Sequence, residues 1–355
     1  MSKLNILSVS DQIAAHLRYE IRCGVWHGSI PGRNELARLL DVGISSVENA
    51  LCQLEKEGLL ADQGAGRPRR IVDNTGNRLN RPLRIAILCY EKSNLSGGIF
   101  SEVAHGLRES GHDAFFTGTS LEEMDMNVQR VAKLVQQTQA DAWIVCSAPR
   151  VVTEWFAVLP KPSFALFGRR RGVRLASVGP DKSPAIIQAT RQLIQCGHRR
   201  IVMLCRPDRR RPAPGTPERS FLNELVANGI EPSTYHLPDW EDGVDGFQKQ
   251  MEMLFDITPP TALLVDELKL FVATQQLLLR MQLRVPEDVS LVSMECDPAL
   301  DWCRPNIAHI RWDQHAVIRR VAQWANHVAR RKQDKKETHT RAQFINGESL
   351  GPAKN

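Results

Sequence analysis

Clusters of arginine are the side chains of this 355-residue chain that are best suited to bind a charged or polar molecule. Arg67, Arg69 and Arg70 follow the glycine turn 64–66 and lie in a strand-like stretch. Guanidinium groups donate hydrogen bonds in a planar fork that matches phosphate oxygens. The pattern predicts a basic hairpin that anchors a phosphate backbone, with a solvated basic turn as the alternative.

Two further arginine runs lie farther along the chain. The run Arg169-Arg170-Arg171 predicts either a solvated basic segment or one from which a side chain enters a ligand cleft, and Arg169 is the candidate. The run from Arg206 to Arg211 has prolines nearby, which predicts an exposed loop. Because it lies inside the later α/β region, we do not interpret it as a nucleic-acid-binding patch.

Catalytic and metal-binding motifs are not found in the sequence. The eight cysteines are scattered without a C-x-x-C pair, which indicates buried free thiols in a reducing compartment. No G-x-S-x-G, H-E-x-x-H or P-loop occurs, and Gly64-Ala65-Gly66 lacks the glycine that would complete a dinucleotide motif. We therefore expect no enzyme, cofactor or metal, and keep an enzyme on a doubly wound fold only as an alternative.

The composition is that of an ordinary globular protein, with 42% hydrophobic and 24% charged residues. The length predicts two or three domains. A net charge of +6 permits a nucleic-acid partner but does not by itself predict one. No signal peptide or apolar stretch long enough for a membrane span is apparent, so we expect a cytoplasmic protein without membrane contact.

Residues 1–72 show the pattern of a winged helix, an α+β domain. Apolar residues repeat at helical spacing over 10–23, with Ser10 as N-cap, then over 34–40 and from Ser45 to Gly58, and the basic hairpin follows. In the third helix, Ser45, Ser46 and Asn49 are candidates for hydrogen bonds to DNA. Ser45 and Glu48 have the spacing of a capping box, so Glu48 is expected to close the start of that helix.

Residues 73–82 lack periodicity and are rich in turn formers, which predicts a linker. From residue 83 to 355, buried strands alternate with helices, which predicts an α/β domain with parallel sheets. Its size favours two lobes, and we place the chain crossovers between them near 168–172, 300–310 and 332–342. Strands include Arg84–Cys89, Ala142–Cys146 and the run 201–205.

Two resemblances cover nearly the whole chain. The signature 30–37, followed by Leu40-Asp41-Val42 and Glu57-Gly58-Leu59-Leu60, makes residues 10–72 resemble the winged-helix reader of the GntR family. Asp181, the stretches 197–201 and 260–264, and above all 285–292 make residues 83–350 resemble the effector domain of the LacI/GalR family. Together they imply a bacterial transcription regulator that senses a small molecule.

The resemblance also implies contact residues, with departures. Readers of the GntR family carry arginines at three DNA-contacting positions, where this chain has Asn34, Ile44 and Glu48. This redistribution predicts that Arg67, Arg69 and Arg70 of the hairpin supply the main phosphate contacts. Ser45, Ser46 and Asn49 on the third helix stay candidates for contacts in the groove.

The LacI-type resemblance places the effector contacts on loops after strands of both lobes. By position they fall on Tyr90, Glu91, Arg169, Arg219, Asp266, Glu267, Asp297 and Trp302. Asp266-Glu267 stands where the family has Asn-Asp. Trp302 could instead belong to the core or an interface, and Glu267 and Arg219 could instead form caps or surface ion pairs. His198 is expected to be structural.

The predicted function is a sequence-specific regulator that binds a double-stranded DNA operator as a homodimer and responds to an effector, a sugar in this interpretation. A dimer is expected because one winged helix reads too few base pairs, whereas a two-fold pair reads a palindrome. The other alternative is a ligand-binding protein whose reader has lost its affinity for DNA.

Overall fold

The computed structural model describes residues 8–23, 26, 28–64, 67–72, 82–92 and 98–354. Residues 73–81 of the predicted linker and Ala65-Gly66 of the glycine turn lie outside these ranges. The chain divides into two compact units. Unit 1 contains Met1–Cys146, Glu154–Phe164 and Ile318–Lys336, and unit 2 contains Ser147–Thr153, Ala165–Val317 and Glu337–Asn355.

Unit 1 begins with three helices and a short antiparallel hairpin, which we call the N-terminal module. Its elements are α1 (Val9–Cys23), α2 (Arg33–Leu40), α3 (Ile44–Lys56), β1 (Leu60–Ala61) and β2 (Arg70–Ile71). Leu60 pairs with Ile71 across the hairpin. Leu17, Leu51 and Leu54 are fully buried between the helices, as their spacing predicts.

The starts of two of these helices differ from the predictions. Before α1, Ser8 rather than Ser10 is the cap: its Oγ accepts a bond from the Asp11 amide at 3.2 Å, and Asp11 Oδ2 accepts one from the Ser8 amide at 3.1 Å. The capping box predicted at Ser45 is wrong. Gly43 is the N-cap of α3 without a side-chain bond, so Ser45 already lies inside the helix.

The remainder of unit 1 is built on a parallel sheet in which β3 lies between β4 and β5. Its elements are β3 (Arg84–Leu88), α4 (Gly98–Glu109), β4 (Asp113–Phe116), α5 (Val128–Gln137) and β5 (Ala142–Cys146). Two elements, α6 (Arg150–Val158) and β6 (Ser163–Leu166), run across the division between the units.

Unit 2 contains a sheet of strand order β7-β12-β11-β10-β9-β8, in which β11 and β12 are antiparallel and the other pairs are parallel. Its elements are β7 (Ala176–Asp181), α7 (Ser183–Gln195), β8 (Ile201–Leu204), α8 (Pro207–Arg210), α9 (Thr216–Ala227), α10 (Val244–Ile257), β9 (Ala262–Val265), α11 (Leu268–Arg280), β10 (Ser290–Ser293), a 3-10 helix (Pro298–Trp302), β11 (Ala308–Trp312) and β12 (Glu337–Ile345). Between β11 and β12, α12 (Gln314–Ala329) passes from unit 2 into unit 1.

The strands β8, β9 and β10 are buried along their whole length. They run parallel side by side, so their carboxyl ends meet at one edge of the sheet. The residues that follow these strands are therefore brought together, although the sequence separates them by tens of residues. In the described ranges, no helix is both long enough and apolar enough to cross a membrane.

Candidate functional site

Charged side chains follow the strands of unit 2 at their carboxyl ends. Lys182 follows β7, Arg206 follows β8, Asp266 follows β9 and Glu295 follows β10. With Arg209, Glu218 and Glu267 they form the ion pairs of a cluster that we call the charged edge. In open α/β sheets, ligands bind outside the carboxyl ends of the strands, which makes this edge the candidate binding site in unit 2.

Asp266 lies at the centre of the charged edge, with its side chain only 2% exposed. It accepts a hydrogen bond from Nε of Arg209 at 3.2 Å, and Nζ of Lys182 lies 3.8 Å away. Burial by itself would raise the pKa of this carboxyl, but the charges of Arg209, Lys182 and Arg206 lower it to about 2. Asp266 is therefore a buried anion held by surrounding cations.

Lys182 links two strands through its ammonium group. It donates a hydrogen bond to Glu295 at 2.5 Å, in addition to its contact with Asp266. Its side chain is almost fully buried, whereas Glu295 is partly exposed. The carboxylate of Glu295 is thus the acceptor of this pair that solvent or a ligand can reach.

Glu218 is the most deeply buried carboxyl of the charged edge, with no exposed surface. Nε of Arg209 is 3.6 Å from it, and neither of its oxygens accepts a hydrogen bond from the described residues. Burial raises the pKa of Glu218, although Arg209 acts in the opposite direction. Gly215 lies against this carboxylate, so a side chain at that position would require the Glu218 carboxylate to shift.

The segment from Arg206 to Arg211 is not the exposed loop predicted from the sequence. It contains α8, and Arg206 binds Glu267 at 2.9 Å and Asp208 at 3.0 Å with a side chain only 13% exposed. Arg210 stacks on Trp240 at 3.9 Å. The prediction failed because partners outside the run, such as Glu267 for Arg206 and Trp240 for Arg210, are brought next to it only when the chain folds.

Arg169 and its neighbours are also held by the protein. Nε of Arg169 donates to the carbonyl of Asp208 at 2.6 Å, and Nη2 donates to the carbonyl of Ala213 at 2.7 Å. Burial lowers the pKa of Arg169. Arg170 is buried and donates to the Gly179 carbonyl at 2.9 Å. The prediction of a fully solvated basic run is therefore wrong for this segment, and Arg169 holds α8 and the chain that follows it.

Other predicted effector contacts of unit 2 lie outside the charged edge. Arg219 is exposed and donates to the Pro214 carbonyl at 2.7 Å. Asp297 accepts a bond from the Ala299 amide at 2.8 Å and caps the 3-10 helix. Trp302, at the end of that helix, is 88% exposed, so its assignment to the core is wrong.

Sequence reasoning missed five members of the charged edge, namely Lys182, Arg206, Arg209, Glu218 and Glu295. The available signal was their position, since four of them follow a buried parallel strand within five residues. His198, expected to be structural, is buried and contacts Thr261 at 2.9 Å and Ser290 at 3.0 Å. That expectation is confirmed.

Two predicted residues lie in unit 1. Tyr90 and Glu91 follow β3 at its carboxyl end. Tyr90 is buried, and its carbonyl accepts a bond from the Glu122 amide at 2.9 Å. Glu91 is partly exposed. Their role in binding a ligand stays a prediction.

The N-terminal module presents most of its predicted DNA-contacting residues to solvent. Ser45 and Asn49 on α3 are exposed, as are Arg67 and Arg70 beside the hairpin, and Ser46 is partly exposed. Arg69 differs, because Glu48 at 2.7 Å and Glu55 both accept hydrogen bonds from its guanidinium group. The bond from Arg69 lowers the pKa of Glu48. Arg69 is thus already engaged within the module.

A family model supports the fold of unit 2. Residues 190–350 match the model of the periplasmic binding protein-like domain. This stretch runs from α7 past β12 and contains every member of the charged edge except Lys182. The carboxy-terminal region has the periplasmic-binding-protein-like fold. Among curated proteins, none matches this sequence.

Solved structures share this fold at low sequence identity. A complex of the transcriptional regulator CelR with cellobiose is 19% identical, with a TM-score of 0.63, over 90% of this chain and 100% of that chain. A LacI-family regulator from Enterococcus faecium with bound ribose is 17% identical, with a TM-score of 0.61, over 76% and 99%. The Escherichia coli transcriptional repressor ascG is 17% identical, with a TM-score of 0.56, over 75% and 98%.

Proposed function

We propose that this chain is a sequence-specific DNA-binding transcription regulator whose affinity for DNA is set by a small-molecule effector. The observation that carries the proposal is the presence, in one chain, of a periplasmic-binding-protein-like region and an N-terminal module of three helices and a hairpin. The first is a fold used for binding small molecules, and the second has the elements of a winged-helix DNA reader.

The effector that we propose is a carbohydrate. The similar structures include one with cellobiose and one with ribose. At the charged edge, Arg209, Glu267 and Glu295 are partly exposed and offer both donors and acceptors, the combination that hydroxyl groups require. Arg169 and Asp266 hold this surface in place, and Tyr90, Glu91, Arg219, Asp297 and Trp302 remain proposed contacts.

The reader that we propose is a GntR-type winged helix. In this arrangement α3 enters the major groove, where Ser45, Ser46 and Asn49 bond to base edges or phosphates, and Arg67 and Arg70 hold the flanking phosphates. A homodimer would place two such modules on a palindromic operator, which gives the specificity that one module lacks.

The test is selection of genomic DNA fragments by the purified full-length protein, followed by sequencing and by titration of carbohydrates against the selected sites. We expect specific retention that unlabelled site DNA competes away and that one carbohydrate class alters. Retention that no sugar alters would contradict control by a carbohydrate.

The competing function is a ligand-binding protein without DNA affinity. It is favoured by Asn34, Ile44 and Glu48, which stand where family readers carry arginine. A protein that binds a carbohydrate but retains no DNA in the same experiment would establish that function instead.

A further inference from the structure

Arg69 joins the hairpin of the N-terminal module to the helix proposed to read DNA. Its side chain is only 16% exposed, and it reaches from the position before β2 to two carboxylates of α3, Glu48 and Glu55. Its carbonyl accepts a bond from the Ile30 amide at 3.0 Å, which fixes the backbone at the same point. We call Arg69, Glu48 and Glu55 the acidic clamp.

The two carboxylates of the clamp lie on α3 beside the residues that we propose to contact DNA. Glu48 is three residues from Ser45 and adjacent to Asn49, both of which are exposed, and Glu55 lies two helical turns farther along the same side of the helix as Glu48. A carboxylate on this surface repels phosphate unless a cation neutralises it. Arg33, whose Nη1 is 3.8 Å from Glu48, is a second and more exposed cation near this group.

We propose that Arg69 is a positioning residue for DNA binding, which acts by neutralising Glu48 and Glu55 instead of contacting a phosphate. The inference rests on the proposed function. It refines the sequence-based expectation for this arginine, because a guanidinium that already serves two carboxylates has few donors left for DNA.

The two roles predict different orders of affinity. With its three charges the clamp carries a net charge of −1, so the variant Arg69→Gln would carry −2. The triple variant Arg69→Gln/Glu48→Gln/Glu55→Gln would be neutral, and Glu48→Gln/Glu55→Gln would carry +1. Under our proposal affinity rises in that order of charge. If Arg69 instead contacts phosphate, removal of the carboxylates cannot restore what Arg69→Gln loses.

The experiment measures binding of the full-length wild-type and variant proteins to a fluorescent 30-base-pair duplex of mixed sequence, over a range of salt concentrations. Arg69→Gln should weaken binding by roughly two- to tenfold at low salt, and the deficit should shrink at high salt because repulsion is screened. The triple variant should bind at least as tightly as wild type. A matched control is Arg67→Gln, whose loss should be equal with and without the two glutamates. The loss from Arg69→Gln should be smaller in the Glu48→Gln/Glu55→Gln background, because the carboxylates that Arg69 neutralises are then absent.

The contrary outcome is a triple variant that binds as weakly as Arg69→Gln, with a salt slope smaller in magnitude than that of wild type by about 0.9. That result would show a phosphate contact, and it would overturn this inference but not the proposed function. If Arg69→Gln fails to fold, the triple variant and Glu48→Gln/Glu55→Gln still decide between the two roles. A wild-type protein that binds no duplex overturns the proposed function and this inference with it.

Discussion

At the scale of single residues, Asp266 and Glu218 are two buried carboxyl groups near Arg209 whose pKa values are shifted in opposite directions. Asp266 lies among Arg209, Lys182 and Arg206, and their charges hold its pKa at about 2. Glu218 has Arg209 at 3.6 Å, but burial, together with the nearby charge of Asp266, raises its pKa. Asp266 is therefore charged in the folded protein at neutral pH, whereas folding favours the protonated form of Glu218.

Replacement of Asp266 by asparagine should destabilise the protein by about 3–5 kcal/mol, because it leaves Arg209 and Lys182 buried without their shared anion. The pKa of Asp266 is lower in the folded state, so its contribution is complete above its ordinary pKa and disappears as pH falls toward about 2. Urea unfolding between pH 7 and pH 2 measures both effects. Asp125→Asn, at an exposed site, is the control, and an equal loss in both variants would contradict the argument.

Replacement of Glu218 by glutamine should change the free energy of unfolding at neutral pH by no more than about 1 kcal/mol, because Arg209 keeps Asp266 as its partner. The pKa of Glu218 is raised in the folded state, so its favourable contribution is present at low pH and disappears as pH rises through the folded-state pKa. The glutamine variant should lack this decline in urea unfolding. A loss as large as that of Asp266→Asn would show that Glu218 is a required anion.

At the scale of elements, α3 of the N-terminal module has one buried stripe and one exposed stripe. The buried stripe of α3, including Val47, Leu51 and Leu54, packs against α1 and α2. Ser45 and Asn49 on the opposite stripe and Arg67 and Arg70 beside β2 are exposed. Under the proposed function, the positive charge that the module offers to DNA thus depends on which of its arginines already form ion pairs within the module.

Substitution of both Arg67 and Arg70 by alanine should weaken binding to every duplex and reduce the magnitude of the salt slope by about 2, because each proposed phosphate contact contributes about 0.9. The preference among sequences should not change. Fluorescence anisotropy against several duplexes checks both expectations, with the exposed Lys133→Ala in α5 as control. An unchanged slope would exclude these arginines as phosphate anchors.

At the scale of the whole molecule, the proposed regulation requires that an effector bind the folded protein. A ligand at 100 times its dissociation constant stabilises the native state by about 2.7 kcal/mol through mass action. We therefore expect a carbohydrate of the correct class to raise the melting temperature by several degrees in a thermal-shift screen. The Arg67→Ala/Arg70→Ala variant should show the same shift, and a panel without any effect would contradict a carbohydrate effector.

The sequence was sufficient for elements with a strong apolar pattern. The strands 84–88, 142–146 and 201–204 lie within one residue of their predicted bounds. The strands that it missed include β7, which contains Gly179-Pro180, and β12, where the apolar side chains are few. Both strands are stabilised by neighbours far away in the chain, since β12 pairs with β7 and β11.

Periodicity, turn residues and strand composition thus determined, without any structure, a helical module with a basic hairpin followed by alternating strands and helices. The tertiary structure alone decided which arginines are available to a ligand. Arg209 meets Asp266 across 57 residues, and Arg69 meets Glu48 across 21. A local sequence shows that a side chain is charged, but only folding brings it within hydrogen-bonding distance of the carboxylate that neutralises it.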